Sequence, residues 1–191
     1  MNASVDHLPF TDDDEANRLL VEDPFALLVG FTLDQQVPLQ KAFSGPLELR
    51  RRIGPYDARR IATMDAAELD AVFRKPPAIH RFPSNMAKRT QTVAAYIVEH
   101  YDGDASRIWR DAADGAELHR RLLDVPGFGP MKAGTLVAVL GKQLGVAPKG
   151  WEEQVPDHMT LGDVTGPERL REYQGWKKGV KAAAREAAER G

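Results

Sequence analysis

No cysteine occurs anywhere in the 191 residues. That excludes disulfides, thiolate zinc sites and cysteine-ligated iron–sulfur clusters, and it fits a cytoplasmic location. Apolar runs are short, none nearing the roughly 18–20 residues that span a bilayer, so no membrane association is expected. The opening MNASVDHLPFTDDDE is acidic and has no apolar signal segment, which argues against secretion. A basic surplus is missing too, with 26 Lys and Arg against 28 Asp and Glu and a formal charge of −2. Any attraction to phosphate must therefore be local, at Arg50-Arg51-Arg52, Arg59-Arg60 or Lys88-Arg89, each of which also reads as a solvated helix face. The five histidines show no metal-binding spacing, and Asp102-Gly103-Asp104 lacks the other ligands of a calcium loop, so no metal site is expected. No stretch sustains the alternation of a strand.

What is present reads as helix almost throughout, so the expected class is all-α. Thr11 is a plausible N-cap for an amphipathic stretch through Leu19-Leu20-Val21. Asp23-Pro24 opens a second helix, apolar nearly all round from Phe25 to Leu33 and hence expected to be central. Asp65 with Glu68 has the logic of a capping box and opens a helix to about Phe73, stopped by Lys75-Pro76-Pro77. Ser84 caps a candidate helix to about Tyr101, with Met86, Val93, Ala94, Ile97 and Val98 at roughly helical spacing. Shorter helices are expected around Ile108 and from Gly115 to Leu123, and the tail from Trp176 to Arg190 reads as a solvent-facing helix.

The most informative segment is Leu122–Val137. One helix ends near Asp124, a Pro126-Gly127-Phe128-Gly129 turn follows, and a second helix starts around Pro130. Gly127 and Gly129 remove side chains that would keep another backbone away, and Phe128 between them reads as an apolar plug between the helices. Ala133 is small enough for close helix packing. The turn and the helix N-terminus together present unpaired N–H groups and a positive dipole end, a phosphate site without base specificity. Lys132 adds a charge in the first turn. An ordinary αα-hairpin is the competing reading, but the full pattern is more specific than a lone Gly-x-Gly.

This segment resembles the helix-hairpin-helix of the HhH-GPD superfamily of base-excision DNA glycosylases. Pro24-Phe25 through Gln35-Gln36 is similar to that superfamily's early apolar helix, which ends in a turn whose glutamine often probes the gap left by a flipped base. The resemblance spans about residues 24–155. It implies a two-lobed helical fold with DNA across the cleft: a barrel lobe at 23–140, containing the hairpin at 122–140, and a second lobe from 1–22 plus 141–191. It implies a monomer acting in DNA repair on double-stranded DNA, rotating a damaged or mismatched base out of the duplex and hydrolysing its N-glycosidic bond. It allows a structural monovalent cation on hairpin carbonyls; no other cofactor is expected.

At the chemistry the pattern is broken. The lysine that bifunctional members use as a Schiff-base amine falls here on Met131. Lys132 is displaced by one residue, about 100° around the helix, so it reads as a phosphate contact and the enzyme as monofunctional. The family's catalytic aspartate falls on Lys149, whose ammonium would repel a cationic sugar. Three readings stay open: Glu152 supplies the carboxylate from a shifted register, with Glu153 or Asp157 as weaker versions; Lys149 acts as an amine nucleophile; or the acid is lost and the protein senses lesions without cutting. Trp151 either stacks on a flipped base or belongs to the core. Gln35 and Gln36 reach into the duplex or merely end a helix, and His80-Arg81-Phe82-Pro83 approaches the cleft or is structural.

Overall fold

The computed structural model describes residues 5–189. Residues 1–4, 190 and 191, which the expected second lobe includes, lie outside it. Among the described residues every regular element is a helix, so the chain is all-α as its patterning implies.

The first helix, α1 (Asp14–Glu22), begins two residues later than Thr11 would place it. The Asp13 carboxylate accepts the Glu15 and Ala16 amides at 2.9 and 3.2 Å, and a charged oxygen also complements the helix dipole. Thr11 is engaged elsewhere, its amide and hydroxyl both donating to the buried Asn17 Oδ1 at 2.9 Å. Next comes α2 (Pro24–Leu33), capped by Asp23 through the Phe25 and Ala26 amides. Every residue from Phe25 to Leu33 is buried, each large side chain contributing about 1.5–3 kcal/mol of burial.

Against α2 lies α3 (Leu39–Ile53), a helix that continues through Pro46. Their approach depends on Gly30, where a Cβ would stand 2.7 Å from the Phe43 ring. Phe43 in turn meets Phe10 and Phe31 edge-on, at 5.1 and 5.2 Å between centroids. The next two helices, α4 (Ala58–Thr63) and α5 (Ala66–Arg74), pack on the long α6 (Pro83–Tyr101). Asp65 caps α5 as expected, accepting the Ala67 and Glu68 amides. By contrast α6 starts one residue before Ser84, on Pro83, whose missing N–H is harmless at a first helical position.

A short α7 (Arg107–Arg110) leads to α8 (Gly115–Leu123), the hairpin turn and α9 (Pro130–Lys142). From Ala133 to Gly141 α9 is buried, covered by α8 and by two 3-10 turns at Glu152–Gln154 and Leu161–Asp163. The last helix is α10 (Pro167–Glu189), which starts well before Trp176 and buries Leu170 and Tyr173 on one face, while residues 178–180 and 182–188 are exposed as expected of the tail. One contiguous apolar core runs from Leu8 to Tyr173. Among the described residues no helix is long and apolar enough to cross a membrane.

The arginine clusters are largely structural. Arg52 is nearly buried beside Glu48 and donates to the Val72, Lys75 and Pro77 carbonyls. Arg51 pairs with Asp13 and Glu15, Arg59 with Asp102, and Arg60 donates to the Ile53 and Pro55 carbonyls.

Candidate functional site

The hairpin has the expected form. After α8 the Val125 amide reaches Leu122 O, the Phe128 amide reaches Val125 O at 3.0 Å, and α9 opens with the Ala133 amide on Gly129 O at 2.9 Å. The amides of Met131 and Lys132 have no carbonyl one turn back within the helix to accept them, the usual condition of a helix N-terminus. Phe128 is buried as a plug, its ring 6.4 Å from that of Phe31 on α2. The two glycines differ in kind. Gly127 has φ +82°, a left-handed conformation that favours glycine. Gly129 has an ordinary extended backbone (φ −100°), and a Cβ there would meet nothing within 4 Å. Nothing inside the fold requires Gly129 to be glycine.

Directly beyond the turn lies a cavity of about 360 Å³ between α2, α9 and α10. From α9 it receives Met131, Lys132 and Thr135; from α2, Phe31 and the Asp34 that ends it; from α10, Tyr173, Trp176, Lys177 and Val180. The α10 positions are spaced three and four apart and so share one helix face. His158 and Met159, from the segment between the two 3-10 turns, close the remaining side. His158 stacks on Trp176 at 4.7 Å and 26°, and is oriented by its Nδ1 at 3.1 Å from Met159 O.

Lys132 lies inside this cavity and not on the outer surface of the turn. Its Nζ donates to the Phe31 carbonyl and sits 5.3 Å from the Phe128 ring centroid. Burial pulls its pKa down to about 8, with Asp34 partly opposing the shift and Arg89 and Lys177 reinforcing it. The one-residue displacement therefore turns the ammonium into the pocket, while Met131 stands at the rim, 61% exposed. Asp34 faces Lys177 at 3.7 Å with its side chain only 17% exposed, and its own amide is fixed on Gly30 O. Burial, with the Asp34 charge as a lesser cause, pushes the Tyr173 hydroxyl up to about 12.

Lys149 and Glu152 are elsewhere. Both are exposed, on the segment that packs against α8, where Lys149 O accepts the Gly115 amide at 2.8 Å. Neither lines the cavity. Trp151 is half-buried, with its indole closed over Gly141 of α9: a Cβ there would meet the ring at 2.2 Å. A Cβ on Gly115 would stand 2.5 Å from the Trp151 backbone.

The two glutamines take different positions. Gln35 is tied inward, its Nε2 on Thr32 O at 2.9 Å and its Oε1 accepting from Arg89 at 2.5 Å. Gln36 is exposed and holds a left-handed backbone, φ +56°, a conformation that costs a non-glycine residue about 1–2 kcal/mol. His80 explains how the turn is held. It is buried, its Nε2 lies 3.0 Å from Gln35 O, and its Nδ1 accepts the Phe82 amide at 3.0 Å. With Nδ1 accepting, the proton sits on Nε2 and donates to Gln35; burial holds the ring's pKa below its usual value. Gln36 thus projects from a turn locked on both sides.

Sequence reasoning missed Asp34, Tyr173, Trp176, Lys177 and His158. Asp34 carries a faint signal, being the acid that ends the most apolar helix. The α10 face shows only as Tyr173, Trp176, Lys177 and Val180 at helical spacing. Compared with protein-family models, curated proteins and solved structures, the chain has no match.

Proposed function

We propose that the protein is a monofunctional DNA glycosylase that grips the duplex backbone at Gly127–Met131 and takes an extruded, damaged or mismatched base into the adjoining cavity. The observation that carries this reading is the cavity itself, which places Lys132 and Asp34 between aromatic walls immediately beyond a hairpin open to an approaching backbone. A lysine whose pKa is lowered by burial in such a cleft marks a candidate site of chemistry.

In this reading the base lies among Trp176, Tyr173 and Phe31, and Gln36 enters the gap it leaves. Lys132, protonated at neutral pH and titrating near 8, is suited to donate a proton to the departing base. Water attacks C1′ as the C1′–N bond breaks. Asp34 stabilises the cationic sugar and accepts the water's proton, leaving the free base and an abasic site. Asp34 takes the role first expected of Glu152 or Lys149, neither of which lines the cavity.

The test is incubation of excess protein with duplexes carrying alkylated, deaminated, oxidised or mismatched bases. Heat-labile abasic sites are expected from at least one; none from any of them sinks the catalytic reading. A non-catalytic lesion sensor is the second reading, favoured by the exposed positions of Lys149 and Glu152. It predicts lesion-dependent binding without product.

A further inference from the structure

On the far side of Tyr173 and Lys177 lies a second cavity, of about 430 Å³, between residues 37–40 and α10. Tyr173 and Lys177 line both cavities and form the partition between them. The outer one has an apolar floor that includes Pro38, a second lysine at its edge (Lys178), and two facing amides, Gln40 of α3 and Gln174 of α10. Gln174 Nε2 donates to Gln40 Oε1 at 3.0 Å. That bond leaves Gln40 Nε2 to donate and Gln174 Oε1 to accept, side by side across one cavity.

We infer that this outer cavity is a subsite for the nucleotide next to the extruded one, and that Gln40 and Gln174 read its base edge. The inference rests on the DNA reading above and deepens it. Three features fit one occupant. Each nucleobase edge carries donors and acceptors that a neighbouring donor and acceptor can pair with, and glutamine is a common reader of such edges. Exposed Pro38 offers an apolar face for the base. Lys177, in the partition, stands where a phosphate joining two nucleotides must pass if one base enters each cavity, and Lys178 adds charge on the outer side. Two compartments divided by a cation match the order base, phosphate, base. The protein that emerges is selective for sequence around a lesion, although the hairpin itself has no base preference.

The test uses the full chain and duplexes bearing a tetrahydrofuran abasic analogue flanked by each of the four bases on either side, with undamaged duplex as reference. Fluorescence anisotropy is expected to show affinities differing about fivefold or more between best and worst neighbour. Q40M together with Q174M, which keeps the volume linking α3 and α10, should level those differences to within about twofold while leaving undamaged-duplex affinity unchanged. Circular dichroism and melting confirm that the variant is folded; Q40A alone, which spares Gln174, serves if it is not. Wild-type protein that binds lesion duplexes equally whatever the neighbour overturns the subsite, as does a folded variant that keeps the wild-type ranking. Failure to bind any duplex overturns the DNA reading and the subsite with it.

Discussion

The carboxylate of Asp34, at the end of α2, and the ammonium of Lys177, on α10, face each other at 3.7 Å across the cavity beside the hairpin. The pair joins the most buried helix of the fold to its last one, and it sets the charge that Lys132 experiences. Asp34 is the main charge opposing the depression of the Lys132 pKa. Replacing Asp34 with Asn should lower that pKa further and remove the carboxylate proposed to stabilise the sugar cation. Single-turnover excision should slow by roughly 10²–10³-fold with duplex affinity little changed. A D34N protein as fast as wild type would remove Asp34 from the chemistry.

Lys132 titrates near 8 and the unfolded lysine near 10.5. Between those values the unfolded chain binds more protons, so stability rises with pH across that window and is lower beneath it. Replacing Lys132 with Met removes the charge whose burial is unfavourable and should stabilise the fold by about 1–3 kcal/mol, read as a higher denaturation midpoint at pH 7. The same variant should lose excision activity. Amine acylation followed by peptide mapping should show Lys132 gaining reactivity between pH 7 and 9, ahead of exposed lysines; uniform labelling would contradict its burial.

The two hairpin glycines should separate folding from binding. At Gly129 an added methyl meets nothing within 4 Å, so Gly129→Ala should leave stability within about 0.5 kcal/mol of wild type. Its duplex affinity should still fall by about tenfold if the phosphate backbone approaches there as proposed. Gly127→Ala places a Cβ on a φ of +82° and should cost about 1 kcal/mol in folding as well. Unaltered DNA affinity in Gly129→Ala would remove the hairpin from the interface.

Trp151 and Gly141 should behave as packing residues. Trp151→Ala is expected to lose about 3–5 kcal/mol, near the upper end for a half-buried indole. Gly141→Ala should also destabilise, since its Cβ would overlap the indole at 2.2 Å. Neither should alter lesion discrimination in whatever folded fraction remains. A stable Trp151→Ala protein that no longer distinguishes lesions would restore the stacking role.

His80 is held neutral between Gln35 O and the Phe82 amide, with its pKa depressed by burial. Protonation would set an N–H against the Phe82 N–H. Below the usual histidine range, the unfolded state takes up a proton that the folded state resists, so stability falls as pH drops through about 6.5. The Gln36 turn is expected to loosen first, which hydrogen exchange of the 34–37 amides at pH 5 against pH 7 would detect.

The sequence by itself determined the helical class, the caps at Asp23 and Asp65, the burial of α2 and the form of the hairpin. All of these rest on local rules: periodicity, capping oxygens, and the backbone freedom that glycine supplies. It did not disclose α3, where Gly45 and Pro46 sit inside a helix held by the core, nor the cap at Asp13, where the acidic run offers several equivalent oxygens. Above all it could not show what faces the cavity. Asp34, Lys132, His158, Trp176 and Lys177 come from four separate parts of the chain, and only the packing of α2, α9 and α10 brings them together. A one-residue displacement of lysine along α9 looks in sequence like a loss. In three dimensions the turn of the helix carries its ammonium inward, to the carbonyl of Phe31.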